Sequence, residues 1–302
     1  MENTDYSQNI TVQYCFPDNN SSCRKELHTP TNLLILSLAV ADLLVGLIVM
    51  PVNIMKLIDS CWYLGKMACT VSIMVNFISM SGSLCSLVLV AVDRYIAVTD
   101  PLLYYSRVTT VKTVLLIILS WSIYLLYIFI YMYCNDHLLP SQIFTTCYGE
   151  CVIYVKHSWV IADIAVCFLI PCSVILLLYS LIFNVARRQA RAVRAVTNVA
   201  SNKPTKVSNV SETKAAKTLG IVIFVYLACW IPYFLSSLSV ENLTTSSMVW
   251  TVFTWLVYMN SSVNPLIYAI FHPWFRASSK YIVTCKIFWD SSSRFNLFSE
   301  HF

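Results

Sequence analysis

Apolar residues run through this chain in long blocks, and the blocks alone predict most of its architecture. Six of them, near 32–55, 67–92, 111–133, 159–183, 218–238 and 248–271, carry very few charges. A helix of about 20 residues crosses the hydrocarbon core of a bilayer, so each block is long enough to span it. None alternates strictly between apolar and polar positions, and each far exceeds a barrel strand, which predicts helices. Residues 1–31 are polar, with Asn and Ser clusters and no apolar stretch of signal-peptide kind. The organisation expected is a polar tail over 1–31, a six-span bundle over 32–271 with a basic cytoplasmic loop at 185–217, and an amphipathic helix and tail over 272–302.

Composition supports a membrane protein. Of 302 residues, 58% are hydrophobic and 12% charged, roughly half the charged share of a soluble domain. The net charge of +5 is modest, and its placement says more. Arg187, Arg188, Arg191, Arg194, Lys203, Lys206, Lys214 and Lys217 fill the connection between the fourth and fifth blocks. Arg94 and Arg107 lie between the second and third, with Lys112 at the edge of the third, and four more basic residues follow the last block. The remaining connections hold only Lys56, Lys66 and Lys156. Cytoplasmic loops collect Lys and Arg, which puts the basic segments inside the cell and makes lipid, not nucleic acid, their neighbour.

Cysteine and sequon placement complicates this topology. Of twelve cysteines, Cys15, Cys23, Cys69, Cys147 and Cys151 fall in the tail or beside segments on the opposite face, as structural disulfides would. No Cys-x-x-Cys pair or His/Cys cluster suggests zinc, and all five histidines lie outside the blocks, so no metal site is expected. Six spans and a cytoplasmic C-terminus put the tail inside too. Yet the tail carries acceptor sequons at Asn9, Asn19 and Asn20, marks of an exported segment, and a further sequon at Asn242 precedes the last block. The expectation that follows is one span too few, with the deficit between residues 23 and 31.

The polar residues inside the blocks are few. Asp42 and Asp163 are the acidic ones, with Asp93 at a cytoplasmic edge. Each would cost roughly 2.5–3.5 kcal/mol to insert. No Lys, Arg or His lies inside any block to pair with them, so a functional role is the expected reason for their presence. Read as one helix, the second block brings Cys69, Asn76, Ser83, Leu87 and Arg94 near one face. Asn76 and Arg94 are then about 27 Å apart along the axis. One face therefore joins an outer pocket level to a cytoplasmic arginine, a route by which a conformational signal crosses a membrane.

"LAVADLL" around Asp42, "DRYIAVTDP" from Asp93, Arg94 and Tyr95, "CWIP" with Trp230 and Pro232, and "NSSVNPLIY" with Asn264, Pro265 and Tyr268 occur in this order. Together with Trp121 they resemble the rhodopsin-like G-protein-coupled receptors. The finer resemblance is to the trace amine-associated receptors, on the last-helix run Asn260, Ser261, Asn264, Pro265, Tyr268, Trp274 and Phe275 and on Cys147-x-Gly149-x-Cys151. His272 stands where that family has Tyr. The resemblance covers roughly residues 28–286. In the family a first helix precedes the "LHTPTN" connection, whereas here Cys23-Arg24-Lys25-Glu26 runs straight into it. The fold class expected is thus an all-α membrane protein: a seven-helix receptor-type bundle lacking its first helix, with a short amphipathic C-terminal helix.

The resemblance implies roles for individual residues. Cys69 would pair with Cys151, and Cys147 with a tail cysteine, Cys23 before Cys15. Arg94 would rest on Asp93 and Glu212, then release Glu212 to meet a heterotrimeric G protein of the stimulatory class, with Tyr179, Asn264, Pro265 and Tyr268 in the same switch. Asp42, Ser83 and Asn260 would form a sodium and water site, and Leu102 would pack against the G protein. Trp230 would be the toggle under the pocket, with Tyr226 below it where the family usually has Phe. Tyr233, Phe234, Trp255 and Tyr258 would line the walls, offering ring faces that attract alkylammonium groups. The amine-binding Asp of most relatives, seven residues after the disulfide cysteine, is Asn76 here. The carboxylate stands instead at Asp163, with Cys167 one turn on, as in a teleost-like subset that binds the ammonium in a reversed orientation.

The function implied is a multi-pass plasma-membrane receptor for protonated amines, olfactory, raising cyclic AMP. No nucleophile–base set or metal cluster suggests an enzyme. Two alternatives stay open from sequence: a non-signalling truncated receptor retained in the endoplasmic reticulum, and a small secondary amine transporter. The transporter lacks the paired Gly- or Pro-broken spans that such folds carry in corresponding halves, and vesicle uptake of a labelled amine separates it from a receptor.

Overall fold

The structure, a computed structural model, describes residues 29–59, 61–135, 151, 155–200, 209–239, 248–271, 280 and 282–285. Within these, side chains are described except at 190, 192–200, 209–219, 239 and 268–271. The described residues form seven helices. Helix α1 is Pro30–Ile58, α2 is Gly65–Thr99, α3 is Pro101–Arg107 and α4 is Thr110–Cys134. Helix α5 runs through His157–Ile164, Ala165–Leu169 and Ile170–Ala200, α6 is Asn209–Ser239 and α7 is Met248–Phe271. By length and composition α1, α2, α4, α5 and α6 each contain a stretch able to cross a membrane.

The expected bundle of six spans lacking its first helix is corrected by this count. Seven helices are described, and the chain's first, Pro30–Ile58, is present. The helix that a reading by apolar blocks passes over is α3, which has only seven residues, with two Tyr, a Ser and an Arg among them, too short to cross a bilayer, and registers as loop. The basic segment 185–217 was likewise read as a loop. Helix α5 continues to Ala200 and α6 opens at Asn209, so much of that segment is helical.

Local chemistry sets the helix starts. Thr29 caps α1 by accepting the Asn32 N–H at 3.3 Å, with Pro30 at the first helical position. Thr109 caps α4 by accepting the Lys112 N–H at 3.4 Å. Helix α2 begins at Gly65, whose φ of +80° suits glycine, and the Trp62 indole N–H donates to the Gly65 carbonyl at 2.7 Å. Two helices are widened by π-turns, at Val45–Val49 and Ala165–Leu169. Each holds the residue four positions before a proline: Leu47 before Pro51 and Cys167 before Pro171. A proline offers no N–H to that carbonyl and its ring crowds it, and a widened turn relieves both problems. The second of these turns begins two residues after Asp163.

Helix α2 is the hub, packed against α1, α4 and α5. Leu38 and Ala41 of α1 and Ala91 of α2 have no exposed surface, and Leu87 is 2% exposed. A hydrogen-bonded pin joins α1, α2 and α4. The Trp121 indole N–H donates to Ser37 Oγ at 3.1 Å, Ser37 and Ser86 hydroxyls lie 2.9 Å apart, and Ser86 Oγ donates to the Gly82 carbonyl at 2.8 Å. Residue 82 must be glycine for the indole to lie flat there, since a Cβ would fall 2.7 Å from Trp121 Cζ2. The amphipathic helix expected after residue 272 lies almost wholly outside the described residues.

Candidate ligand cavity and cytoplasmic switch

A cavity opens between α2, α5, α6 and α7. Of the residues expected to bind ligand, Asn76 of α2, Asp163 and Cys167 of α5, Trp230, Tyr233 and Phe234 of α6, and Tyr258 of α7 all line it. Trp255 does not. It sits half-buried against Val45, Val49 and Tyr258 at the α1–α7 contact, its ring 5.7 Å from that of Tyr258. The sequence reading passed over Phe77, Met80, Ser81 and Leu84, which extend the Asn76 face at helical spacing, and Thr254 and Val257 of α7. That spacing was the available signal.

Asp163 is half-buried, and the Tyr127 hydroxyl of α4 donates to its Oδ1 at 3.3 Å. The Cys167 thiol, one turn along the same face, also hydrogen-bonds the carboxylate. Among the described residues lining the cavity, Asp163 is the only Asp, Glu, Lys, Arg or His. Around it stand aromatic rings. Trp230 stacks between Tyr226 at 5.4 Å and Phe234 at 5.5 Å, and Tyr233 meets it edge-on at 6.0 Å. Beyond Tyr127, Tyr131 packs against Phe77 at 5.3 Å and edge-on against Trp159 at 5.8 Å. Such an arrangement offers one negative charge and several quadrupole faces, chemistry that selects an organic cation.

The cavity's opposite wall is neutral. Asn76 and Tyr258 side chains are hydrogen-bonded to each other. Asn76 Oδ1, the Tyr226 hydroxyl and Trp230 Nε1 are buried with no hydrogen-bond partner among the described residues. Above the cavity, Cys69 at the start of α2 is disulfide-bonded to Cys151, with Cα atoms 5.7 Å apart. Cys61 is also disulfide-bonded, a role the sequence reading missed. The expected Cys23–Cys147 bridge and the sequons at Asn9, Asn19, Asn20 and Asn242 lie outside the described residues.

Deeper in the bundle, Asp42 is 8% exposed and accepts from Asn264 Nδ2 at 3.1 and 3.3 Å. Ser261 also hydrogen-bonds it. Ser83 and Asn260, the expected partners, are each 3% exposed, but Ser83 Oγ and Asn260 Oδ1 have no partner among the described residues. Asn264 and Ser261 therefore join Asp42 directly, while Ser83 and Asn260 supply unpaired oxygens. Pro265 follows Asn264 inside α7.

At the cytoplasmic end, the Asp93 side chain is 3% exposed and Arg94 31%. Arg94 Nε donates to Asp93 Oδ2 at 3.0 Å. Two further groups, not anticipated from sequence, hold Asp93. Thr31 Oγ1 of α1 donates to its Oδ2 at 2.9 Å, and the Tyr104 hydroxyl of α3 donates to its Oδ1 at 2.6 Å. Arg94 also donates to Thr31 Oγ1. Burial, and next the bond to Asp93, push the Tyr104 hydroxyl above its ordinary pKa, which keeps it a donor. Tyr179 is half-buried, and Leu102 is 95% exposed at the tip of α3. The side chains of Glu212 and Tyr268 lie outside those described.

A helical membrane bundle with an aromatic cavity, a buried Asp–Asn pair and a closed Asp–Arg cluster at the inner end defines a receptor class. A profile of the rhodopsin family of seven-transmembrane receptors matches residues 20–268, and the chain belongs to that family. A seven-helix domain matched over this range is a second finding against a bundle short of a helix. The chain is 39% identical to trace amine-associated receptor 13c of Danio rerio, over 91% of this chain and 82% of that protein. It is 39% identical to trace amine-associated receptor 6 of Homo sapiens, over 92% and 82%. To trace amine-associated receptor 9 of Mus musculus it is 40% identical, over 91% and 81%. Within the rhodopsin family, this chain is a trace amine-associated receptor. It is a multi-pass membrane receptor and not an enzyme.

Proposed function

We propose that the receptor works at the plasma membrane of olfactory cells, binds protonated amines in the α2–α5–α6–α7 cavity, and signals through a stimulatory G protein to raise cyclic AMP. The observation that carries this reading is Asp163, the only carboxylate, and the only group charged at neutral pH, among the described residues of an aromatic cavity. A bound ammonium supplies the missing counter-charge, and a charge-assisted pair in a semi-buried site outlasts competition from water. The charge lies on α5, while Asn76 on α2 is neutral, so the ligand's cationic end points toward α5. That is the orientation of the subset with its anionic site on this helix.

The proposal extends to the remaining residues, with Glu212 and Tyr268 carried over from the family resemblance. Trp230, stacked on Tyr226 and Phe234, transmits ligand contact down α6. Arg94 is the switch: the cluster with Asp93, Thr31 and Tyr104 holds it at rest, Glu212 adds to that hold, and Tyr179, Asn264 and Tyr268 support its release. Exposed Leu102 meets the G protein. The Asp42 carboxylate with the unpaired oxygens of Ser83 and Asn260 makes an all-oxygen set that fits a sodium ion.

The test is Asp163→Asn, which keeps the side chain's shape and removes its charge. At matched surface expression, potency toward monoamines is expected to fall at least about a hundredfold, or about 2.7 kcal/mol. Asn76→Ala should cost far less, and Asn76→Asp should add a second anionic site and favour diamines. Equal potency of Asp163→Asn and the parent sinks the assignment.

A further inference from the structure

Asn76 raises a question that an ammonium on Asp163 does not answer. Asn76 lines the cavity, and its Oδ1 is buried without a partner among the described residues, while its amide nitrogen is the atom left to bond Tyr258. Rotating the amide would exchange one unpaired atom for another. Two more buried polar atoms without partners, Trp230 Nε1 and the Tyr226 hydroxyl, belong to residues lining the same cavity. Buried polar groups are hydrogen-bonded in the great majority of cases, so a cluster of three on one cavity points to a polar guest.

We propose that the amine taken here carries a second, uncharged hydrogen-bond donor, a hydroxyl, which donates to Asn76 Oδ1 while the ammonium pairs with Asp163. This rests on the reading of Asp163 as the ammonium's partner and adds the chemistry of the ligand's other end. Asn76 Oδ1 is an acceptor, so an ether or a halogen at that end leaves it unsatisfied. A second ammonium would be a donor, but no second carboxylate lines the cavity, and a buried unpaired charge is far costlier than a buried unpaired carbonyl. A hydroxyl also accepts, which suits a cavity whose lining includes Trp230, a donor without a partner among the described residues. A site that offers a hydrogen bond to a ligand hydroxyl discriminates strongly against the analogue lacking it, because its own polar group is then stranded.

The experiment uses the full chain in cells, with cyclic AMP read at matched surface expression. Two probe series cover a flexible and a rigid spacing: aminopentanol, its methyl ether and pentylamine; and hydroxyphenethylamine, methoxyphenethylamine and phenethylamine. In at least one series the hydroxyl compound is expected to be at least about tenfold more potent than both analogues. That advantage should close to within about twofold in Asn76→Leu and in Asn76→Ala, two variants so that poor folding of one does not stop the test. The absence of a hydroxyl advantage in both series, an equal advantage for the methyl ether, or an advantage that survives both variants overturns the proposal. Asp163→Asn against pentylamine and phenethylamine, which have no hydroxyl, reads the underlying ammonium assignment separately. Loss there with no hydroxyl preference in the parent leaves Asp163 standing and removes Asn76.

Discussion

Gly82→Ala puts one methyl group where the structure has no room for it. The new Cβ would lie 2.7 Å from Trp121 Cζ2 and 2.9 Å from Cη2. Carbon atoms in good contact sit about 3.5–4.0 Å apart, so the indole must retreat by on the order of 1 Å. Its N–H is tied to Ser37 Oγ at 3.1 Å, and a retreat of that size breaks the bond, a net loss of about 1 kcal/mol. Overpacking adds about 1–3 kcal/mol, while replacing a helical glycine by alanine returns up to about 1 kcal/mol. The balance is a loss of roughly 1–3 kcal/mol. Gly46→Ala is the internal control, since Gly46 is exposed and a Cβ there meets nothing within 4 Å. The assay is the melting temperature of the detergent-solubilised receptor. Gly82→Ala should lower it and Gly46→Ala should leave it unchanged or raise it. Trp121→Phe removes the ring edge that collides, so the double variant should be less damaged than the sum of the singles. A Gly82→Ala protein melting at or above the parent, or additivity in the double variant, refutes the close-approach argument.

Tyr104→Phe removes the 2.6 Å bond that α3 makes to the buried Asp93 carboxylate, a charge-assisted interaction of about 1.5–3 kcal/mol. It should lower the melting temperature and raise basal cyclic AMP at matched surface expression, while Tyr105→Phe, at 86% exposure, should do neither. Cys69→Ser opens the bridge to Cys151 and should cost about 2–4 kcal/mol, read as lost surface expression, where Cys134→Ser, a free thiol, should be tolerated.

The boundaries of the long helices were legible because hydropathy and helix length answer to the same bilayer. The expected spans 67–92 and 111–133 fall inside α2, Gly65–Thr99, and α4, Thr110–Cys134. Where that pressure ends, the signal ends. The polar continuation of α5 to Ala200 and the short α3 leave no apolar block, and the helix count erred accordingly. The site divides on the same line. Asp163 and Asn76 stood out because a polar residue among apolar ones needs a reason, whereas Tyr127 on α4 was one aromatic among many and its bond to Asp163 crosses 36 residues. Thr31 and Tyr104 were hidden for the same cause, their meeting at Asp93 being a property of packing, not of any one helix. Trp255 shows the converse error. Helical spacing tells which residues share a face with Tyr258, but not what faces them, and here Trp255 packs against the cluster of Val45, Val49 and Tyr258.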